Sequence, residues 1–131
     1  MDPLCYIWGM SRSLPHPTRD QIELPGVLDC LGDPTRLGIV FNLAKAEQTA
    51  TELRCGDFEA FSGKSNLAYH FAKLREAGLV QTRIAGTTRY MRLRRNDLDA
   101  RFPGLLDSVL KSASRDAERL QFPACEMAGA D

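Results

Sequence analysis

The residues from Gly63 to Leu93, GKSNLAYHFAKLREAGLV followed by QTRIAGTTRYMRL, narrow the choice of folds more than any other part of this chain. Leu67, Phe71, Leu74 and Gly78 recur at i, i+4, i+7 and i+11, one apolar stripe of a helix, and leave Ser65, Asn66, Tyr69 and Lys73 on the opposite side. Such a helix buries one face and offers the other. Gly78 suits the position just past a helix end, where a left-handed backbone strains any residue with a Cβ. Leu79 and Val80 then lead into two short β-like runs about Ala85, Gly86, Thr87 and Thr88. Helix, tight turn and hairpin in that order predict a winged helix.

Charge says where this unit points. Between Lys64 and Arg95 stand eight basic residues (Lys64, Lys73, Arg75, Arg83, Arg89, Arg92, Arg94, Arg95) and one acid, Glu76, a net +7, while the rest of the chain carries −7. A polyanion is drawn to the first part and repelled by the second, which orients a protein on DNA as well as attracting it. The plainer reading is a solvated helix and hairpin whose arginines bind nothing. A basic hairpin directly after a polar-faced helix favours nucleic acid.

A chain of 131 residues fits one domain. Its 44% apolar and 26% charged content is that of a soluble globular protein, and no apolar run approaches the roughly 20 residues that cross a bilayer. The opening MDPLCYIWGM lacks the basic and apolar regions of a secretory signal, so a reducing cytoplasm is the expected compartment and structural disulfides are not expected. Catalysis is not expected either: the chain has no Ser/His/Asp order, no phosphate-binding glycine loop and no paired acids about a cleft.

Residues 1–20, with Pro3, Pro15 and Pro17 and no period, read as a flexible tail, residues 21–121 as the domain, and residues 122–131 as a second tail. Met10 is a second candidate start of translation beside Met1, and Tyr6 and Trp8 could pack across a dimer. Ile22, Leu24, Val27, Leu28 and Leu31 predict a first helix that Pro25 and Gly26 shorten or kink. Asp33 as N-cap and Pro34 at the first helical position start a second, with Leu37, Val40, Phe41 and Ala44 as its buried stripe. Asp57 is expected to cap a brief third helix ending near Phe61, before the Gly63–Ala77 helix. After the hairpin, Asn96 or Asp97 caps a short turn ended by Pro103, which opens a last helix whose Leu105, Leu106, Val109 and Leu110 form an apolar face. The first and last helices flank the unit without being needed to build it, so a homodimer through both is the economical use of their apolar surface.

LGDPTRL at Leu31–Leu37, LREAGLV at Leu74–Val80 and the RRNDLDARFPGLL segment, in this order of parts, resemble the ArsR/SmtB family of winged-helix repressors over about residues 24–110. The resemblance implies a mostly α fold with a β-hairpin wing, a bacterial homodimer on operator DNA, and release by a metal or another signal. It also implies that the fourth helix enters the major groove, at positions matching Lys64, Ser65, Asn66, Ala68 and Tyr69. Asn66 could pair bidentately with adenine, Tyr69 could meet a thymine methyl or a phosphate, and Lys73 would neutralise backbone. His70 falls off the apolar stripe and reads as a half-buried histidine bonded within the fold. On the hairpin, Arg83, Thr87, Thr88 and Arg89 are placed to straddle the DNA backbone or enter the minor groove. Two-fold symmetry implies a pseudo-palindromic operator with half-sites about 34 Å apart.

The signal is less legible. Metal-sensing relatives carry ELCVCDL where this chain reads ELRCGDF, leaving Cys55 alone, and no histidine lies between Pro103 and Gln121. With only His16 and His70 present, no imidazole-rich metal site can be assembled and no cofactor is expected. A metalloid site joining Cys5 to Cys55, or a redox pair of Cys30 and Cys125, remains an alternative to inert thiols. A winged helix that binds protein instead of DNA is the rival from another class.

Overall fold

The computed structural model describes residues 12–123, with Arg12 and Ser13 as backbone only. Cys5, Tyr6, Trp8, Met10, Cys125 and the closing residues, on which several expectations fall, lie outside the described residues. Six helices, two 3-10 turns and a four-stranded sheet follow one another in the described part. They are β1 (Arg12–Ser13), α1 (Leu24–Leu31), α2 (Pro34–Gln48), β2 (Leu53–Arg54), α3 (Lys64–Glu76), β3 (Val80–Ala85), β4 (Thr88–Leu93), α4 (Arg95–Arg101), α5 (Leu105–Arg115) and α6 (Ala117–Leu120).

The sheet order is β1-β3-β4-β2, antiparallel throughout, so the hairpin is the centre of a larger sheet. Arg12 and Ser13 pair with Ile84 and Arg83, and the Thr82 N–H donates to His16 Nε2 at 3.0 Å. Arg94 donates to the Pro17 carbonyl, and Arg19 pairs with Asp97 at 2.8 Å. Residues 12–20, expected in a tail, are thus bonded to the domain. Backbone pairing of two residues has no hydropathy period and leaves no mark in the order of side chains.

The helices begin where short-range chemistry dictates. The Asp33 carboxylate accepts from the Arg36 N–H at 3.0 Å and Pro34 occupies the first turn of α2, as expected of a capped start. Pro25 lies in the first turn of α1, where its missing N–H is not needed, so it starts this helix instead of kinking it. Asp57 does not cap a third helix. It sits within a 3-10 turn, Cys55–Phe58, and accepts from the Arg54 N–H at 2.8 Å, closing the step from β2 into that turn. Neither Asn96 nor Asp97 caps α4, whose N-cap is Arg94; the Asp97 carboxylate instead holds Arg19 and Arg94. The last helix breaks at Asp116, and α5 starts after Gly104 in the left-handed region, two residues later than Pro103 would have it.

The core joins Val27 and Leu31 of α1, Ile39, Val40 and Leu43 of α2, Leu67 and Leu74 of α3, Val80, Met91 and Leu93 of the sheet, and Leu106 of α5. Helix α2 is enclosed on several sides: of its expected stripe only Val40 is fully buried, Leu37, Phe41 and Ala44 being half-buried, while Ile39, Asn42, Leu43 and Ala46 are buried beside it. At Gly38 the close approach is acute, since a Cβ there would lie 3.0 Å from Phe122 Cδ1 and 3.1 Å from Phe61 Cε2.

Candidate nucleic-acid interface

Helix α3 divides into a seat and an outer face. Leu67 and Leu74 are fully buried and Phe71 half-buried, its ring 5.8 Å from that of Phe58. His70 is buried with its Nδ1 3.2 Å from Arg36 Nη1 and 3.8 Å from Asp33 Oδ2, while Arg36 Nε donates to the Cys30 carbonyl at 2.8 Å. Through Asp33 and Arg36, the LGDPTR segment therefore ties the α1–α2 junction to the side of α3 that faces inward. Nothing in the spacing of His70 from Asp33 announced this link.

The outer face carries Lys64, Ser65, Asn66, Ala68, Tyr69 and Lys73, all exposed, with Tyr69 at 54%. The Asn66 amide donates to Ser62 Oγ at 2.6 Å, a local bond that holds its orientation at the helix start. Lys73 Nζ lies 5.5 Å from the centre of the Tyr69 ring, so the two form one cationic and aromatic ridge one turn apart. Gly63 is the N-cap and brings no side chain to the first turn, leaving its N–H groups open to an acceptor from outside.

On the wing, the turn between Ala85 and Thr88 consists of Gly86 and Thr87, and Gly86 takes φ +63, the conformation glycine tolerates best. Thr87 and Arg89 are exposed and Thr88 half-buried. Arg83 departs from expectation: its side chain is 6% exposed, ion-paired with Glu52, and stacked 4.1 Å from the Tyr90 ring centre. It cannot straddle a DNA backbone from that position, because its guanidinium joins β3 to the segment before β2.

The same correction applies to the charge of the segment as a whole. Arg94 is paired with Asp97, Arg95 with Glu47 and Asp107, and Arg92 donates to Gln81 Oε1 across the ladder. Lys64, Lys73, Arg75 and Arg89 have no ion pair among the described residues, so these four, with Arg92, whose acceptor Gln81 is neutral, supply most of the outward field.

The two described cysteines are free thiols. Burial pushes both Cys30 and Cys55 up to about 11, so each is protonated at neutral pH despite Arg36 near the one and Arg89 and Arg75 near the other. Among the described residues no group of three or more His, Cys, Asp or Glu side chains could hold a metal ion, and no helix is long and apolar enough to cross a membrane.

A helix seated on a capped helical pair, presenting polar and cationic side chains and followed by a hairpin with exposed threonine and arginine, defines a winged helix-turn-helix domain. No protein-family model matches the chain. The HTH-type transcriptional regulator YceK of Bacillus subtilis (strain 168), described as uncharacterized, is 35% identical over 92 residues, 69% of this chain and 88% of that protein. The crystal structure of an ArsR family transcriptional regulator matches with a TM-score of 0.50 over 82% of this chain and 96% of its own, at 15% identity, a likeness of fold alone. The chain belongs to the HTH-type transcriptional regulators and is a DNA-binding regulator of winged helix-turn-helix architecture.

Proposed function

We propose that this protein is a homodimeric repressor of the ArsR type that sits on a pseudo-palindromic operator and leaves it on a signal. The observation carrying the reading is the outer face of α3, where Lys64, Ser65, Asn66, Ala68, Tyr69 and Lys73 are exposed together. Ser65 and Asn66 are the candidates to read base edges, Lys64 and Lys73 to neutralise phosphates, and Tyr69 to meet a thymine methyl or a phosphate. On the wing, Thr87, Thr88 and Arg89 are the backbone and minor-groove candidates, and Arg83 acts in the fold.

Dimerisation rests on apolar surface at the flanks. Leu24 and Leu28, one turn apart on α1, are 40% and 48% exposed, and Leu105 and Val109 on α5 are half-buried, the same helices from which the sequence suggested a dimer. Two such faces joined about a two-fold axis would place the two α3 helices in successive major-groove turns, about 34 Å apart. Raised thiol pKa values disfavour Cys30 and Cys55 as reactive sensors, and the signal is proposed to be one that does not require a preformed thiolate at either. Cytoplasmic residence follows from the same reading.

Sedimentation of the full chain, with hydroxyl-radical footprinting on the DNA upstream of its own gene, tests the reading. A dimer protecting two patches one helical turn apart supports it; a monomer, or no protection, overturns it.

A further inference from the structure

Between the wing tip and the 3-10 turn before α3 lies a cleft of about 450 Å³, lined by Arg54, Cys55, Gly56, Asp57, Thr87, Thr88 and Arg89. Its two walls are brought together by the register of the sheet. Arg54 pairs with Tyr90, which places the residues after Arg54 beside Arg89 and the hairpin turn. Arg54 and Arg89 are both exposed, and two threonine hydroxyls lie beside them. Asp57, the one acid in the lining, is turned inward, with its side chain 7% exposed and both oxygens engaged by Arg54. The lining thus comes from the wing and from the segment that leads from β2 toward α3.

We propose that this cleft seats a backbone phosphodiester of the bound DNA, with Arg54 as a contact from outside both the recognition helix and the wing. The proposal deepens the DNA-binding reading above and rests on it. The chemistry fits the ligand: two guanidiniums can hold the anionic oxygens of one phosphate or of two neighbours, and hydroxyls of Thr87 and Thr88 can donate to the same group. Asp57 fixes Arg54 through both its backbone N–H and its guanidinium, so little side-chain freedom is lost on contact. A phosphate contact of this kind carries no sequence information. It sets register and affinity on any duplex.

The test is fluorescence anisotropy of the full chain on a duplex from upstream of its own gene and on a scrambled duplex, each over a salt series. Arg54→Ala is expected to weaken both complexes several-fold alike and to lower the slope of log K against log salt by about one. Arg54→Lys should keep the slope, and Arg54→Ala with Arg89→Ala should lose about two. Gly56→Asp is an independent variant, because Gly56 lines the cleft and a Cβ there meets nothing within 4 Å. It should weaken both complexes while leaving the circular dichroism melt unchanged. If Arg54→Ala and Gly56→Asp leave affinity and slope intact while Lys73→Ala lowers them, the cleft is not a phosphate seat and the DNA-binding reading stands. If the unaltered protein shows no salt-dependent binding, that reading itself fails.

Discussion

Ile22 packs against the bare α-carbon of Gly78, so closely that a Cβ at Gly78 would lie 2.5 Å from Ile22 Cγ1. The contact joins the segment before α1 to the turn between α3 and β3, where Gly78 also holds φ +83. One residue thus follows the end of α3, precedes the hairpin and receives the flank. Gly78→Ala combines left-handed strain with overpacking, and should cost about 2–4 kcal/mol of stability by urea denaturation. A loss under 0.5 kcal/mol would show that the flank yields freely.

Arg83 and Glu52 form the pair that removes one cation from the wing surface. Arg83→Ala strands the Glu52 carboxylate, which is partly solvated, and should cost about 2–3 kcal/mol, toward the low end for a broken buried pair. Its salt slope on DNA should equal that of the unaltered protein once both are folded. A reduced slope at equal stability would return Arg83 to the interface.

Asn66→Ala should relax preference at one base pair of each half-site by about 1–3 kcal/mol, whereas Arg89→Ala should weaken all duplexes alike. Affinities for a panel of single-base operator variants separate the two. A uniform loss for Asn66→Ala would remove it from base reading.

The His16 imidazole is held below its usual pKa, chiefly by burial and secondarily by Arg94 and Arg75, against an opposing hydrogen bond with Leu14. Its neutral Nε2 accepts from Thr82 and so anchors residues 12–19 to the wing. The unfolded chain binds that proton more readily, so stability is full above about pH 6.5 and declines as pH falls below it. Thermal melts at pH 7.5 and 5.5 should show this loss, and His16→Gln should shrink it. An unchanged pH dependence in the variant would assign the effect elsewhere.

Iodoacetamide should modify Cys30 and Cys55 slowly at pH 7.5 in the folded protein and quickly in denaturant, because both thiols are held protonated by burial. Fast alkylation of Cys55 in the native state would revive a thiol-based signal.

Helix α3 and the hairpin were readable because each follows a local rule: the i, i+4, i+7 recurrence of Leu67, Phe71 and Leu74, and glycine at the two left-handed turns, Gly78 and Gly86. The start of α2 was equally plain, since Asp33 and Pro34 act within one turn. What escaped depends on partners distant in the chain. Arg83 reads as a wing cation until Glu52, 31 residues earlier, is found beside it, and His70, read as bonded within the fold, has partners, Arg36 and Asp33, that its own surroundings in the chain do not name. Arg54 was passed over because only the pairing of β2 with β4 carries it to the wing. The exposed face of α3 was therefore legible, and the charge count of the segment overstated what faces outward.

The claim on which the rest depends is that the exposed cations of α3 and the wing meet the phosphates of a duplex. The most direct measurement is the equilibrium affinity of the full chain for DNA from upstream of its own gene between 50 and 300 mM salt, in steps of roughly 50 mM. The expected result is a linear fall of log K with log salt, with a slope of several units that shrinks by about one for Lys73→Ala and again for Arg89→Ala. A flat response, or binding that ignores both substitutions, would contradict it.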